Sequence, residues 1–299
     1  MRTDKRTRLL RIAAKTIILV VVLYVIASSV MAYVIWHPAR RAVHTDPGKY
    51  GLAYESVSFP SADGITLRGW YVDTPGEHTV MVLHGSGSVK DNYINMEMSR
   101  ALAGAGYDVL LFDFRGHGES DGSMFSLGKW ETRDIAGALA YLESRGIHEV
   151  GVLAYSMGAA SVLLAAPDHP QIRAIVADSS FAKLSTVIQS EGSKALFFMP
   201  VMYPGIALMS KLMFGIDPDE TQPMKAVAQL GDRPLFLIHT TGDSLIPVGE
   251  IYELEKAGAG NPNMETWVAQ GAAHVSAFAD HKEEYVRRVV GFFDKYLKR

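Results

Sequence analysis

The chain has 299 residues, 48% of them hydrophobic and 20% charged, enough for one large buried core or two smaller ones. It has no cysteine, which excludes disulfides, zinc–thiolate sites and a cysteine nucleophile. The net charge of −3 divides into a local +5 over residues 1–15 (Arg2, Lys5, Arg6, Arg8, Arg11 and Lys15 against Asp4) and −8 over the remainder, a balance that suggests no basic patch to neutralise phosphates, so no nucleic-acid partner is expected.

Residues 16–36, TIILVVVLYVIASSVMAYVIW, contain no charge. At about 1.5 Å per residue the run spans roughly 30 Å, the thickness of a bilayer's hydrocarbon core. The basic flank at 1–15 and the interfacial aromatics Tyr33 and Trp36 predict a single-pass transmembrane anchor. Its N-terminus would be cytoplasmic and the rest of the chain extracytoplasmic. The competing reading is a cleaved signal peptide with Val30-Met31-Ala32 at the cleavage position, although the run exceeds the 7–15 residues of an ordinary h-region. His37-Pro38 ends the helix, and residues 37–52 read as a linker.

The body at 53–299 alternates strand-like and helix-like segments. A hairpin at 54–59 and 65–72, around Asp63-Gly64, comes first. Strands follow at 79–83, 108–114, 150–155, 172–177, 234–240 and 265–269. The helices between and after them are read at 92–106, 127–145, 157–166, 248–257 and 283–297. The pattern implies an α/β fold, a mainly parallel sheet with helices on both faces. Residues 181–233 break the rhythm. A connection this long inside a compact domain is usually functional, and its Phe-, Met- and Leu-rich centre at 194–215 predicts a helical cap over the C-terminal edge of the sheet.

The strand VGVLAY runs straight into Ser156-Met157-Gly158. A nucleophilic serine on a sharp strand-to-helix turn needs small residues two positions either side, and Ala154 and Gly158 meet that need. Alone, Ser156 would more often be a helix cap. A serine hydroxyl also needs a base, itself oriented by an acid. Asp243 follows the strand PLFLIHT, and His274 follows the strand at 265–269, so the three occur in the order Ser, acid, His, each past a strand end. The Gly-rich turn His84-Gly85-Ser86-Gly87-Ser88 follows the first parallel strand, where backbone N–H groups of Ser86 and Met157 would hold an oxyanion. The turn matches neither dinucleotide nor P-loop phosphate patterns.

These residues, together with Asp113-Phe114-Arg115-Gly116-His117-Gly118-Glu119-Ser120 and Ile246-Pro247, resemble the α/β-hydrolase superfamily over roughly residues 53–298. Within it the chain is similar to membrane-anchored, single-domain hydrolases. The resemblance implies an α/β-hydrolase fold in which the Asp113–Ser120 run is a structural turn. Two positions depart from the pattern: Ala154 stands where the elbow usually has Gly, and Thr240 follows His239 where many members have Gly. The activity expected is hydrolysis of a carboxylic ester through an acyl-enzyme, with Ser156, His274 and Asp243 catalytic and Ser86 and Met157 the oxyanion donors. No cofactor and no metal is expected. The partners expected are a small or lipid-like ester substrate and the membrane. A peptidase or an acyltransferase would use the same three residues, and a non-catalytic membrane-tethered binding protein the same scaffold.

Overall fold

The computed structural model describes residues 2–195 and 197–298. Met1, Leu196 and Arg299, which fall within the predicted flank, cap and final domain, lie outside the described residues. Helix α1 (Arg2–Trp36) precedes the hairpin β1 (Glu55–Pro60) and β2 (Thr66–Val72). Then come β3 (His78–Leu83), α2 (Tyr93–Gly104), β4 (Tyr107–Phe112), α3 (Glu131–Ser144), β5 (Val150–Tyr155) and α4 (Met157–Ala165). Strand β6 (Ile172–Asp178) is followed by α5 (Leu184–Ala195), α6 (Met199–Phe214) and α7 (Pro223–Val227). The chain closes with β7 (Leu235–Thr240), α8 (Gly249–Ala257), β8 (Met264–Ala269), α9 (Ala277–Asp280) and α10 (Lys282–Leu297).

The eight strands form one sheet in the order β1-β2-β4-β3-β5-β6-β7-β8. The β1–β2 and β2–β4 pairs are antiparallel, and all pairs from β3–β4 to β7–β8 are parallel. The central strands are apolar on both sides because helices cover both faces. Met81, Val152, Ala154 and Ile175 pack on one face with α3, α4 and α8. Val80, Val82, Leu153 and Val176 pack on the other with α2 and α10. The parallel strands all end at the same edge, and the functional loops emerge there.

Helix α1 is long and apolar enough to cross a membrane, with a mean hydropathy of 2.6 in its most apolar window, of which 11% is buried. Its C-terminal half packs along α6, where the Tyr24 hydroxyl donates to the Val201 carbonyl at 2.9 Å. The predicted helix over 127–145 starts later, at Glu131. Leu127 lies in the left-handed region (φ 55°), which no α-helix tolerates. The Glu131 carboxylate gathers the Ser126 and Gly128 N–H groups and the Ser126 hydroxyl, turning the preceding residues into a cap. Strand β4 likewise ends at Phe112 rather than 114: the Phe114 N–H donates to His84 Nε2 at 3.0 Å and not to a neighbouring strand.

Candidate active site

Ser156 sits between β5 and α4 with φ 51° and ψ −117°, a conformation that L-residues rarely adopt. Its N–H donates to the Asp178 carbonyl at 2.8 Å, pinning the turn to the end of β6. Close packing explains the small residues here. A Cβ on Gly158 would fall 2.6 Å from the His84 carbonyl oxygen, and one on Gly85 would fall 3.1 Å from the Ser156 Cβ. Ala154 is fully buried in the core, so the methyl group that replaces the usual glycine hydrogen is accommodated.

The three residues singled out from the sequence converge. The Ser156 hydroxyl donates to His274 Nε2 at 2.8 Å, and His274 Nδ1–H donates to Asp243 Oδ2 at 2.7 Å. A carboxylate can only accept, which assigns the proton to Nδ1 and leaves Nε2 free to accept. Asp243 Oδ1 accepts the Leu245 and Ile246 N–H groups, both at 2.9 Å. Burial works against the Asp243 carboxylate, but the hydrogen bond and charge of His274 and the Ile246 N–H hold its pKa below the ordinary value. The acid and histidine loops are laced together: the Thr240 hydroxyl donates to the Ala273 carbonyl at 2.7 Å, and the Gly242 N–H donates to the Gly271 carbonyl at 2.8 Å. Thr240, the second departure from the family pattern, thus acts as a tie. Val275, next to His274, has φ 57°, costly for a β-branched residue.

Ser86 and Met157 line the same cavity as Ser156 and His274. Met157 is the first residue of α4, where helix geometry leaves the N–H without an intrahelical acceptor. Three other histidines, His84, His117 and His239, have structural partners. His84 Nδ1–H donates to the Gly85 carbonyl, and His84 Nε2 accepts the Phe114 N–H at 3.0 Å. Burial lowers its pKa to about 4 and keeps it neutral. His117 Nε2 accepts the Gly87 N–H at 3.3 Å, so the Asp113–Ser120 turn props the Gly-rich loop. His239 Nε2–H donates to the Ile246 carbonyl beneath Asp243.

The cavity has a volume of about 740 Å³, within the range of sites that enclose small ligands. Phe181, Leu184, Ile188 and Met199, from the connection after β6, form part of its wall. Sequence reasoning missed a second contribution: Val30, Met31, Val34 and Ile35 of α1 line the same cavity. A uniformly apolar run has no marked face, so no periodicity singles these four out. It also passed over Asp178, buried at the end of β6, which accepts the Tyr285 hydroxyl at 2.8 Å and the Ser179 hydroxyl. Burial raises the Asp178 pKa to about 6, opposed by those two hydrogen bonds.

A family model described as the alpha/beta hydrolase fold matches residues 78–200. The esterase Pf2001 of Pyrococcus furiosus superposes with a TM-score of 0.74 at 28% identity, over 87% of this chain and 99% of that one. The chain has the α/β-hydrolase fold. In sequence it is similar to the protein YqkD of Bacillus subtilis, 27% identical over 79% of this chain and 77% of that protein. It is also similar to Rv2307c of Mycobacterium tuberculosis, 28% identical over 85% and 86% of the two chains. An acylaminoacyl peptidase of Pyrococcus horikoshii shares the α/β-hydrolase fold at 20% identity and a TM-score of 0.66, over 85% of this chain and 44% of that one.

Proposed function

We propose that this α/β hydrolase is a serine hydrolase that cleaves a carboxylic ester through an acyl-enzyme. The observation that carries the reading is the continuous hydrogen-bond chain from the Ser156 hydroxyl through His274 to the buried Asp243. In the first half-reaction Ser156 Oγ bonds to the ester carbonyl carbon as its proton passes to His274 Nε2. The N–H groups of Ser86 and Met157 hold the oxyanion. The tetrahedral adduct collapses, the C–O bond to the alcohol breaks, and the alcohol leaves with the proton from His274. In the second half a water gives its proton to His274, its oxygen attacks the acyl carbon, and the acid leaves as Ser156 recovers its proton. Asp243 keeps the imidazole in the required tautomer and stabilises the imidazolium.

The esterase activity named for the Pyrococcus furiosus neighbour supports an ester substrate. The apolar side chains around the cavity favour an acyl group over a charged or strongly polar ligand. In the same reading residues 1–15 are a cytoplasmic flank, 16–36 a membrane anchor and 37–52 a linker. Residues 53–299 form the extracytoplasmic hydrolase domain, with 181–233 as its cap. Turnover of p-nitrophenyl esters of rising chain length, compared between wild type and Ser156→Ala, tests the proposal. Wild-type turnover falling by about 10⁴-fold or more in the variant is the expected result. Equal turnover in the two proteins would contradict it.

A further inference from the structure

Helix α1 needs nearly all of residues 16–36 to cross about 30 Å of hydrocarbon, yet the outer half of that run is already occupied by protein. The Tyr24 hydroxyl donates to the Val201 carbonyl at 2.9 Å and accepts the Gly205 N–H at 3.0 Å. Ser28 packs so closely on α6 that a Cβ on Gly205 would fall 2.3 Å from its hydroxyl oxygen. Trp36, fully buried, donates its indole N–H to Ser210 at 2.8 Å. From Tyr24 to Trp36 the helix rises about 18 Å, so a bilayer that takes up α1 takes up α6 beside it.

Helix α6 suits that position. Phe197 and Phe198, just before the helix, and Val201, Leu208, Leu212 and Met213 within it are all exposed, and Val201, Leu208 and Leu212 follow one helical stripe through the exposed Pro204. In water such a stripe would be an anomalous apolar patch. The helix contains one charged residue, Lys211, next to the Ser210 that binds Trp36 and therefore at the end where α1 meets the interface. Lys211 pairs there with Asp217 at 2.8 Å.

Val30 and Val34 line the cavity with Ser156 and His274, yet they are 56% and 64% exposed on the surface of α1. We propose that α6 is immersed beside α1 in the outer leaflet, and that the substrate is a long-chain acyl ester resident in that leaflet. Its chain enters sideways past Val30 and Val34, so that α1 is one wall of the acyl pocket as well as an anchor. This names the substrate class for the proposed serine hydrolase and rests on that reading. It also requires α1 to remain attached, since cleavage after Ala32 would remove Tyr24, Ser28 and two of the four α1 residues that line the cavity.

Because the chain lacks cysteine, one can be introduced at will. The full chain is reconstituted in phosphatidylcholine vesicles with Leu208→Cys carrying an environment-sensitive fluorophore. Quenching by doxyl-labelled lipid and protection from aqueous iodide are expected. Quenching by iodide, or cross-linking of two copies through Cys at that position, would overturn the immersion of α6. In the same vesicles, Ser156 labelling rates are compared for ethyl and hexadecyl fluorophosphonates. Val34→Trp, which narrows the mouth, is expected to lower the hexadecyl-to-ethyl rate ratio at least fivefold, and a smaller change would overturn α1 as a pocket wall. If neither probe labels wild-type Ser156, the serine hydrolase reading fails and the pocket proposal with it, while the quenching result still decides where α6 lies.

Discussion

His274 and Asp243 face each other at 2.7 Å across two loops, and the carboxylate is buried while the imidazole edge reaches the cavity. Asp243 is thus placed to bind one face of the imidazole while Ser156 binds the other. Asp243→Asn keeps the shape but can donate to Nδ1, which would turn the tautomer around and remove the acceptor at Nε2. Esterase kcat is expected to fall by about 10³–10⁴-fold with little change in KM. The measurement is steady-state hydrolysis of a short p-nitrophenyl ester. Because the folded pKa of Asp243 is depressed, its stabilising contribution is present above the ordinary carboxylate value and is lost as pH falls through the folded value.

The turn at Ser156 stores backbone strain, since φ 51° with ψ −117° suits glycine. Both Ser156→Ala and Ser156→Gly remove the hydroxyl, but the glycine variant also relieves the strain. Thermal or urea unfolding should find Ser156→Gly about 1 kcal/mol more stable than Ser156→Ala, a release of roughly 1–3 kcal/mol being partly offset by the freer unfolded chain. Equal stability would mean that the turn is unstrained.

Asp178 gives the fold a pH signature separate from catalysis. Its folded pKa is raised to about 6 from an ordinary value of 3.8, chiefly by burial. Between those values the native state holds a proton that the unfolded chain has released. The contribution of this group to stability therefore falls as pH rises from about 4 to about 6, by roughly 3 kcal/mol, and stays low above that window. Asp178→Asn cannot titrate. The stability of wild type relative to this variant should drop across that window in pH-resolved urea unfolding, and a flat difference would count against a protonated Asp178.

Lys90 is a buried cation at the base of the Gly-rich loop. Its ammonium lies 2.6 Å from both Asp113 and Glu119 and 4.6 Å from the centre of the Trp70 ring. Lys90→Met leaves the Asp113 carboxylate buried without its cation and should cost about 3–5 kcal/mol. Adding Asp113→Asn removes the stranded charge, so the double variant should be the more stable of the two in a double-mutant unfolding cycle.

Much of the fold and the candidate site was legible in the sequence for one physical reason. Buried parallel strands are short apolar runs, and the loop after each one, at the C-terminal edge of the sheet, can be searched for reactive side chains. Ser156 follows β5, Asp243 follows β7 and His274 follows β8, so three short motifs located three side chains that fold into contact. The start of α3 was not legible, because the helical spacing of Trp130, Ile135 and Leu139 says nothing of a left-handed Leu127. The contribution of α1 to the cavity was hidden as well. Contacts such as Trp36 to Ser210 span 174 positions and leave no trace in local pattern.

The most direct measurement is covalent. Purified full-length protein is treated with a fluorophosphonate and analysed by intact mass and peptide mapping, alongside Ser156→Ala. The account predicts one adduct per chain, on Ser156, abolished by the substitution. A wild-type protein that takes up no probe, or a variant labelled to the same extent, would contradict it.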